Sequence, residues 1–150
     1  MQTRPEVLVV DDNRADLVLI KEALRACGFD GDIAVAEDGE AGLDVVFNRR
    51  TKPDLILLDI NMPVLDGHGM LQRLRTSADE RTRDLPVVIM SSSTLDSDIN
   101  LAYELGANAY MSKPADYSGL MQAVAGVLQT FLTTAKKSIP RHRKDQVHQE

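Results

Sequence analysis

Cysteine occurs once, at Cys27, tryptophan is absent, and aromatic residues make up only 4% of the 150-residue chain. A lone cysteine excludes an intrachain disulfide and fits a reducing compartment. Sparse aromatics leave no stacking platform for single-stranded nucleic acid. No apolar run approaches the roughly 20 residues needed to span a bilayer. The N-terminus lacks a basic segment leading into an apolar stretch, so no signal peptide is expected. The expected setting is cytoplasmic. The three histidines (His68, His142 and His148) are scattered, which leaves zinc without a ligand set. Gly-rich phosphate loops are missing too: neither G-x-G-x-x-G nor G-x-x-x-x-G-K-[ST] occurs.

What is present is ordinary for a soluble domain: 43% hydrophobic and 27% charged residues. The length suits one domain with a real core. Net charge is −6, unevenly spread. Residues 136–150 carry Lys136, Lys137, Arg141, Arg143 and Lys144 against Asp145 and Glu150, a net +3, so residues 1–135 carry −9. An acidic body repels a phosphate backbone, which disfavours direct nucleic-acid binding. Beyond Thr133 the apolar pattern dissolves. Residues 1–133 are therefore read as the folded domain and 134–150 as a basic, disordered tail.

Strand-like and helix-like segments alternate five times. The strands are expected at 6–10, 32–36, 54–58, after Pro86, and at 108–112. Helices are expected at 14–27, 39–48, around Met70–Leu74, at 95–105 and at 116–133. Leu17, Ile20, Leu24 and Cys27 recur at helical spacing, with Asn13 as N-cap and Gly28 as the stop. Asp38 and Glu40 are read as helix-start acids, and Ala41, Val45 and Phe47 as one side of that second helix. Leu120, Val124, Val127, Leu128 and Phe131 form the stripe of the last. Residues 76–84 are almost wholly polar and read as a solvated helix end or loop. Ser93, Thr94 and Asp96 are read as capping the fourth helix. Near-continuous apolar runs such as Leu55–Leu58 suit strands covered on both faces. Five β-α units imply an α/β fold with a doubly wound parallel sheet.

The strand-like runs end in chemistry. Leu8-Val9-Val10 leads into Asp11-Asp12, Leu55–Leu58 into Asp59, Val87–Met90 into Ser91, and Ala109–Ser112 into Lys113-Pro114. In an open parallel sheet all carboxyl ends share one edge, where ligands bind. Three acids, a hydroxyl and an ammonium on that edge suit a divalent cation and a phosphoryl group. Oxygen donors favour Mg²⁺, Ca²⁺ or Mn²⁺. A carboxylate can attack phosphorus to form an acyl phosphate, and the charge on the equatorial oxygens must be neutralised by its surroundings.

Taken jointly, Val10-Asp11-Asp12, Leu58-Asp59-Ile60-Asn61-Met62-Pro63, Asp66-Gly67, Pro86–Ser92, Gly106-Ala107 and Lys113-Pro114 resemble the receiver domain of two-component response regulators, over about residues 5–132. The resemblance implies a flavodoxin-like (βα)5 sandwich of strand order 2-1-3-4-5, a class for which a chemotaxis receiver is a standard example. It implies Asp59 as phosphoacceptor. Asp12, Asp59 and the backbone carbonyl of Asn61 become ligands of Mg²⁺ (or Mn²⁺), with Asp11 assisting through water. Ser91 becomes the switch hydroxyl, Ser92 its small neighbour, and Lys113 the phosphoryl-binding lysine. Tyr110 becomes an aromatic switch that turns in on phosphorylation. Pro63 and Gly67 shape the loop after Asp59, and Pro114 follows a cis peptide bond. Asn61 and Ser93 shape water access during hydrolysis.

The resemblance further implies a single-domain regulator, phosphorylated by a sensor histidine kinase and signalling through protein contacts. A homodimer through the fourth helix (95–105), the fifth strand and the last helix is expected, from the apolar length of that helix through Phe131 and Leu132. The polar insert 76–84, Asp98-Ile99 with Ala102-Tyr103, and Gly106–Tyr110 are similar to the stand-alone regulators served by bacterial and cyanobacterial phytochrome kinases. The partner would then be a bacteriophytochrome. Slow self-dephosphorylation, not catalytic turnover, is expected. Three other classes fit less well. A metal-dependent phosphohydrolase needs an Asp-x-Asp spacing that Asp11-Asp12-Asn13 lacks. A never-phosphorylated adaptor has no need of the full acceptor set. A flavin-binding flavodoxin-like protein needs a phosphate loop and aromatics.

Overall fold

The computed structural model describes residues 4–49 and 51–132; the expected tail 134–150 lies outside them. Five strands form one parallel sheet: β1 (Glu6–Val10), β2 (Asp32–Ala36), β3 (Leu55–Leu58), β4 (Val87–Ser91) and β5 (Ala109–Ser112), in the order β2-β1-β3-β4-β5. Six helices connect and follow them: α1 (Arg14–Ala26), α2 (Gly39–Phe47), α3 (Gly67–Arg75), α4 (Glu80–Arg83), α5 (Asp96–Glu104) and α6 (Tyr117–Phe131). This is the doubly wound, flavodoxin-like order expected of the sequence.

Side chains alternate across a strand, and both faces here are apolar. Leu8, Val10, Ile56, Leu58, Val87 and Ile89 pack on one side with Met70, Leu71 and Leu74 of α3 and Ala102 and Tyr103 of α5. Val7, Val9, Leu55, Leu57, Val88 and Met90 pack on the other with α1 and α6. The α6 stripe of Leu120, Val124, Val127 and Phe131 is buried there, with Leu128 at its margin. Strands β1, β3 and β4 are thus buried between two apolar layers, while the edge strand β2 is partly open to water.

Helix ends follow local chemistry. Asn13, Asp38, Asp66 and Asp116 accept from backbone amides at the starts of α1, α2, α3 and α6. Such caps contribute about 1 kcal/mol each. Gly28 and Gly106 adopt positive φ just beyond α1 and α5, as their sequence positions suggest. Val64, at φ 69 in the loop after β3, is a β-branched residue in the same region, a strain of about 1–3 kcal/mol.

Four local expectations need correction. The polar stretch 76–84 contains a helical turn, α4, capped by Asp79 and anchored by a fully buried Thr82. The inner face of α2 is Gly39, Gly42, Leu43 and Val46; Phe47 lies at the margin of that face, beyond Leu43, and is exposed. Leu95 is the N-cap of α5 and offers no side-chain bond; Ser93 Oγ instead accepts weakly from Leu95 N–H and donates to Asp98. The bond before Pro114 is trans, as no peptide bond among the described residues is cis; an X–Pro bond prefers trans by about 0.5–1 kcal/mol. Cys27 is half-buried and its thiol donates to the Met121 carbonyl.

At the starts of β4 and β5, one polar group ties the α3 and α4 side of the sheet together. Asn108 is buried, and its Oδ1 accepts from both Val87 N–H (2.8 Å) and Arg75 (2.9 Å). Arg75 also donates to the carbonyls of Gly106 and Arg83. Asn108→Ala should lower unfolding stability by about 2–3 kcal/mol, the cost of stranding buried donors. Urea denaturation checks this; a loss within 0.5 kcal/mol, the range of about-neutral surface changes, contradicts it.

Candidate functional site

The register of the sheet delivers its ends to one place. Asp11 N–H donates to Ala36 O at 3.0 Å, Asp59 N–H to Val10 O at 2.9 Å, and Lys113 N–H to Ser91 O at 2.8 Å. Each is a ladder bond continued past a strand end. The backbone of each of these three charged groups is therefore fixed before its side chain is considered.

Asp11 and Asp59 are buried and Asp12 is exposed. Carboxylate oxygens of the three all lie within 4.8 Å of one another. Asp11 Oδ1 accepts from Asn13 N–H and Asp59 Oδ1 from Ile60 N–H, both at 2.9 Å. The Lys113 ammonium is 2.7 Å from Asp11, 2.8 Å from Asp16 and 3.6 Å from Asp59. Ser91 is fully buried and its Oγ accepts from Ser93 N–H at 3.2 Å; its nearness to Asp59 favours the ionised carboxyl. Burial, and then the Asp11 charge, push the Asp59 carboxyl above its ordinary range, although Lys113 opposes them. Burial works against the Lys113 ammonium. Its bonds to Asp11 and Asp16 and the nearby Asp59 charge outweigh that and raise it above the usual lysine range.

Four carboxylates around one ammonium leave a formal −3. With oxygen donors only, and an exposed member open to solvent, the donor set fits a hard divalent cation such as Mg²⁺ or Mn²⁺. Asp11, Asp12 and Asp59 are the residues whose carboxylates would hold it. Asn61 and Ser92 are both exposed on the loops that rim the acids.

Other expected residues fall around this centre. Pro63 lies exposed in the loop after β3, and its carbonyl accepts from Leu65 N–H. Gly67 is buried beneath Asp59: a Cβ there would lie 2.2 Å from the Asp59 carbonyl oxygen and 2.9 Å from Ile60 Cα. Pro114 follows Lys113 along a cleft of about 190 Å³ lined by Asp16, Leu19, Ile20, Met90 and Leu120. Tyr110 is turned in, 5% exposed, with its hydroxyl donating to Ser93 O at 2.8 Å. An aromatic switch expected to move inward thus already has a satisfied inward position; burial raises its phenol and bonds to Ser93 and Ser91 oppose that rise.

Asp16 escaped the sequence reading. Its position in the first turn of α1 signals only a helix-start acid, and nothing in the linear pattern ties it to a lysine 97 residues away.

This geometry has relatives. Residues 7–125 match the response regulator receiver domain family. The chain is 36% identical over 130 residues to the probable methanogenesis regulatory protein FilR2 of Methanothrix harundinacea, covering 84% of this chain and 83% of that one. It is 30% identical over 133 residues to the response regulator Rcp1 of a Synechocystis strain, covering 85% and 89%. The Mn²⁺-bound form of Rcp1 superposes with a TM-score of 0.78 at 28% identity, over 91% of this chain and 99% of that one. The phosphorylated cyanobacterial phytochrome response regulator RcpA superposes with a TM-score of 0.80 at 32% identity, over 93% and 99%.

Because the atoms that a Gly67 side chain would strike are backbone, they cannot move aside as a flexible side chain would. Gly67→Ala should destabilise the fold by about 1–3 kcal/mol and weaken Mg²⁺ binding, since the displaced backbone carries Asp59. Thermal unfolding and a Mg²⁺ titration read the two effects; unchanged values for both would show that the loop accommodates a Cβ.

Proposed function

The chain belongs to the response regulator receiver family, and from that premise we propose that it accepts a phosphoryl group on Asp59 from the phosphohistidine of a sensor kinase. The observation that carries this reading is the position of Asp59. Its carboxylate lies between a buried hydroxyl, Ser91, an ammonium, Lys113, and two further acids. In the transfer, an Asp59 carboxylate oxygen bonds to phosphorus as the phosphorus–nitrogen bond to the donor imidazole breaks, and the imidazole leaves with a proton. Lys113 faces one equatorial oxygen as a point charge and Ser91 offers a hydroxyl to another. A divalent cation, when bound, would neutralise a third and offset the acids. Hydrogen bonds to charged groups contribute about 1.5–3 kcal/mol each, which is the scale needed to shift a two-state element.

The phosphoryl state is read out by protein contacts through α5, β5 and α6. Tyr110 has its inward seat beside Ser93, so the phosphoryl group acts by holding that arrangement, not by creating it. A homodimer through the same surface is supported by Leu95 at the start of α5 and Leu101 on it, 64% and 40% exposed. It is not supported by the end of α6, since Phe131 is spent in the chain's own core. The likeness to Rcp1 and RcpA supports a red/far-red-sensing kinase as the partner. Among the described residues no helix is long and apolar enough to cross a membrane.

Incubation with acetyl phosphate and Mg²⁺ should add one phosphoryl mass to the wild type and none to Asp59→Asn, read by intact mass. The same label should leave an autophosphorylated phytochrome kinase for Asp59. An adduct that persists in Asp59→Asn sinks the assignment. Sedimentation at tens of micromolar, a concentration at which micromolar affinities register, should show a dimer with beryllofluoride and Mg²⁺. Monomer alone, with and without beryllofluoride, removes the dimer from the reading.

A further inference from the structure

We infer that Asp16 is a positioning residue for Lys113: it anchors the ammonium so that its remaining N–H faces Asp59 and the phosphoryl group arriving there. The inference rests on Asp59 being the acceptor.

A lysine ammonium has three donors on a flexible stem. Two of the three have close partners, Asp11 at 2.7 Å and Asp16 at 2.8 Å, and the approach to Asp59 is longer, at 3.6 Å. The ammonium is therefore tethered twice and left with one direction to offer, toward Asp59. The two tethers differ in kind. Asp11 belongs to the acid cluster that suits a cation, whereas Asp16 lies outside it. A divalent cation held by that cluster would compete with Lys113 for Asp11, and Asp16 would remain as the carboxylate holding the lysine.

The placement of Asp16 supports a dedicated role. It is the third residue of α1, and its backbone N–H is already bound by the Asn13 cap at 3.0 Å. A first-turn acid offsets the helix dipole wherever its side chain points, so that duty alone does not require contact with the end of β5. Its carboxylate nevertheless crosses to the lysine and joins the start of α1 to the loop before α6. The bridge forms one wall of the cleft beside the site, and both partners are mostly shielded, Lys113 at 17% and Asp16 at 31% side-chain exposure. Shielding of that order keeps such a pair from being screened as a surface pair is.

The test is beryllofluoride affinity at saturating Mg²⁺ for wild type, Asp16→Ala, Asp16→Asn and Asp16→Glu, followed by ¹⁹F NMR. Each is repeated in a Lys113→Met background, with melting temperatures recorded throughout. Asp16→Ala should bind about tenfold more weakly and Asp16→Glu should recover most of that. In Lys113→Met the Asp16 changes should be nearly silent, less than about twofold, because residues acting through one group are not additive. Asp16→Asn keeps the volume and should show the loss without loss of folding. An unchanged or tighter affinity in Asp16→Ala overturns the inference, as does an equal loss in both backgrounds. Wild type that takes no beryllofluoride overturns the acceptor reading itself, an outcome separate from any difference among the variants.

Discussion

An excess of buried negative charge at the end of an aliphatic sheet is the constraint around which the rest of the molecule is arranged. Asp11 and Asp59 are taken out of water beside Asp12 and Asp16, with Lys113 as the cation among them. Two unit charges 4 Å apart interact by about 4 kcal/mol in the medium typical of a protein surface, so neither the repulsions nor the attractions here are small. The sheet supplies the rigidity that holds them. Its ladders run one residue beyond the strands into Asp11, Asp59 and Lys113, and its faces are sealed by two apolar layers. Side chains can then be held near one another that would otherwise move apart.

That same division of labour explains what could be read from the sequence. Strands covered on both faces must be apolar throughout, so Leu8–Val10, Leu55–Leu58 and Val87–Met90 stand out without any knowledge of their neighbours. The residues that follow them are polar because the sheet ends there. Parallel connection then brings those residues to one edge. The acidic cluster, Ser91 and Lys113 were legible for this reason. So were the helix starts at Asn13 and Asp38, where the caps are local hydrogen bonds between residues three apart.

What was not legible depended on contacts across the fold. The linear pattern of α2 pointed to Ala41, Val45 and Phe47, whereas the contacts with α3 and β1 bury Leu43 and Val46 and leave Phe47 exposed. The single turn of α4 is held by Thr82, whose burial no polar run announces. Asp16 looks like any helix-start acid until the end of β5 places Lys113 against it. Tyr110 could be assigned to the switch position by resemblance, but its rotamer depends on whether a partner waits inside. The Ser93 carbonyl is that partner.

Ser93 also shows how the site is joined to the surface that others would read. Its N–H is bound by Ser91 Oγ, its carbonyl by the Tyr110 hydroxyl, and its own hydroxyl donates to Asp98 of α5 at 2.5 Å. The Asp98 carbonyl is in turn within 3.1 Å of His68 Nε2 on α3. A change at the Ser91 hydroxyl reaches Ser93 through its bond to the Ser93 amide, and the bonds of the Ser93 carbonyl and hydroxyl lead on to Tyr110 and α5. The receiving end is the start of α5, at an exposed Leu95 with no side-chain cap. A ligand can shift a structure only by the difference in its contacts between two states. Here that difference passes through Ser93, whose bonds join the site to Tyr110 and to the start of α5.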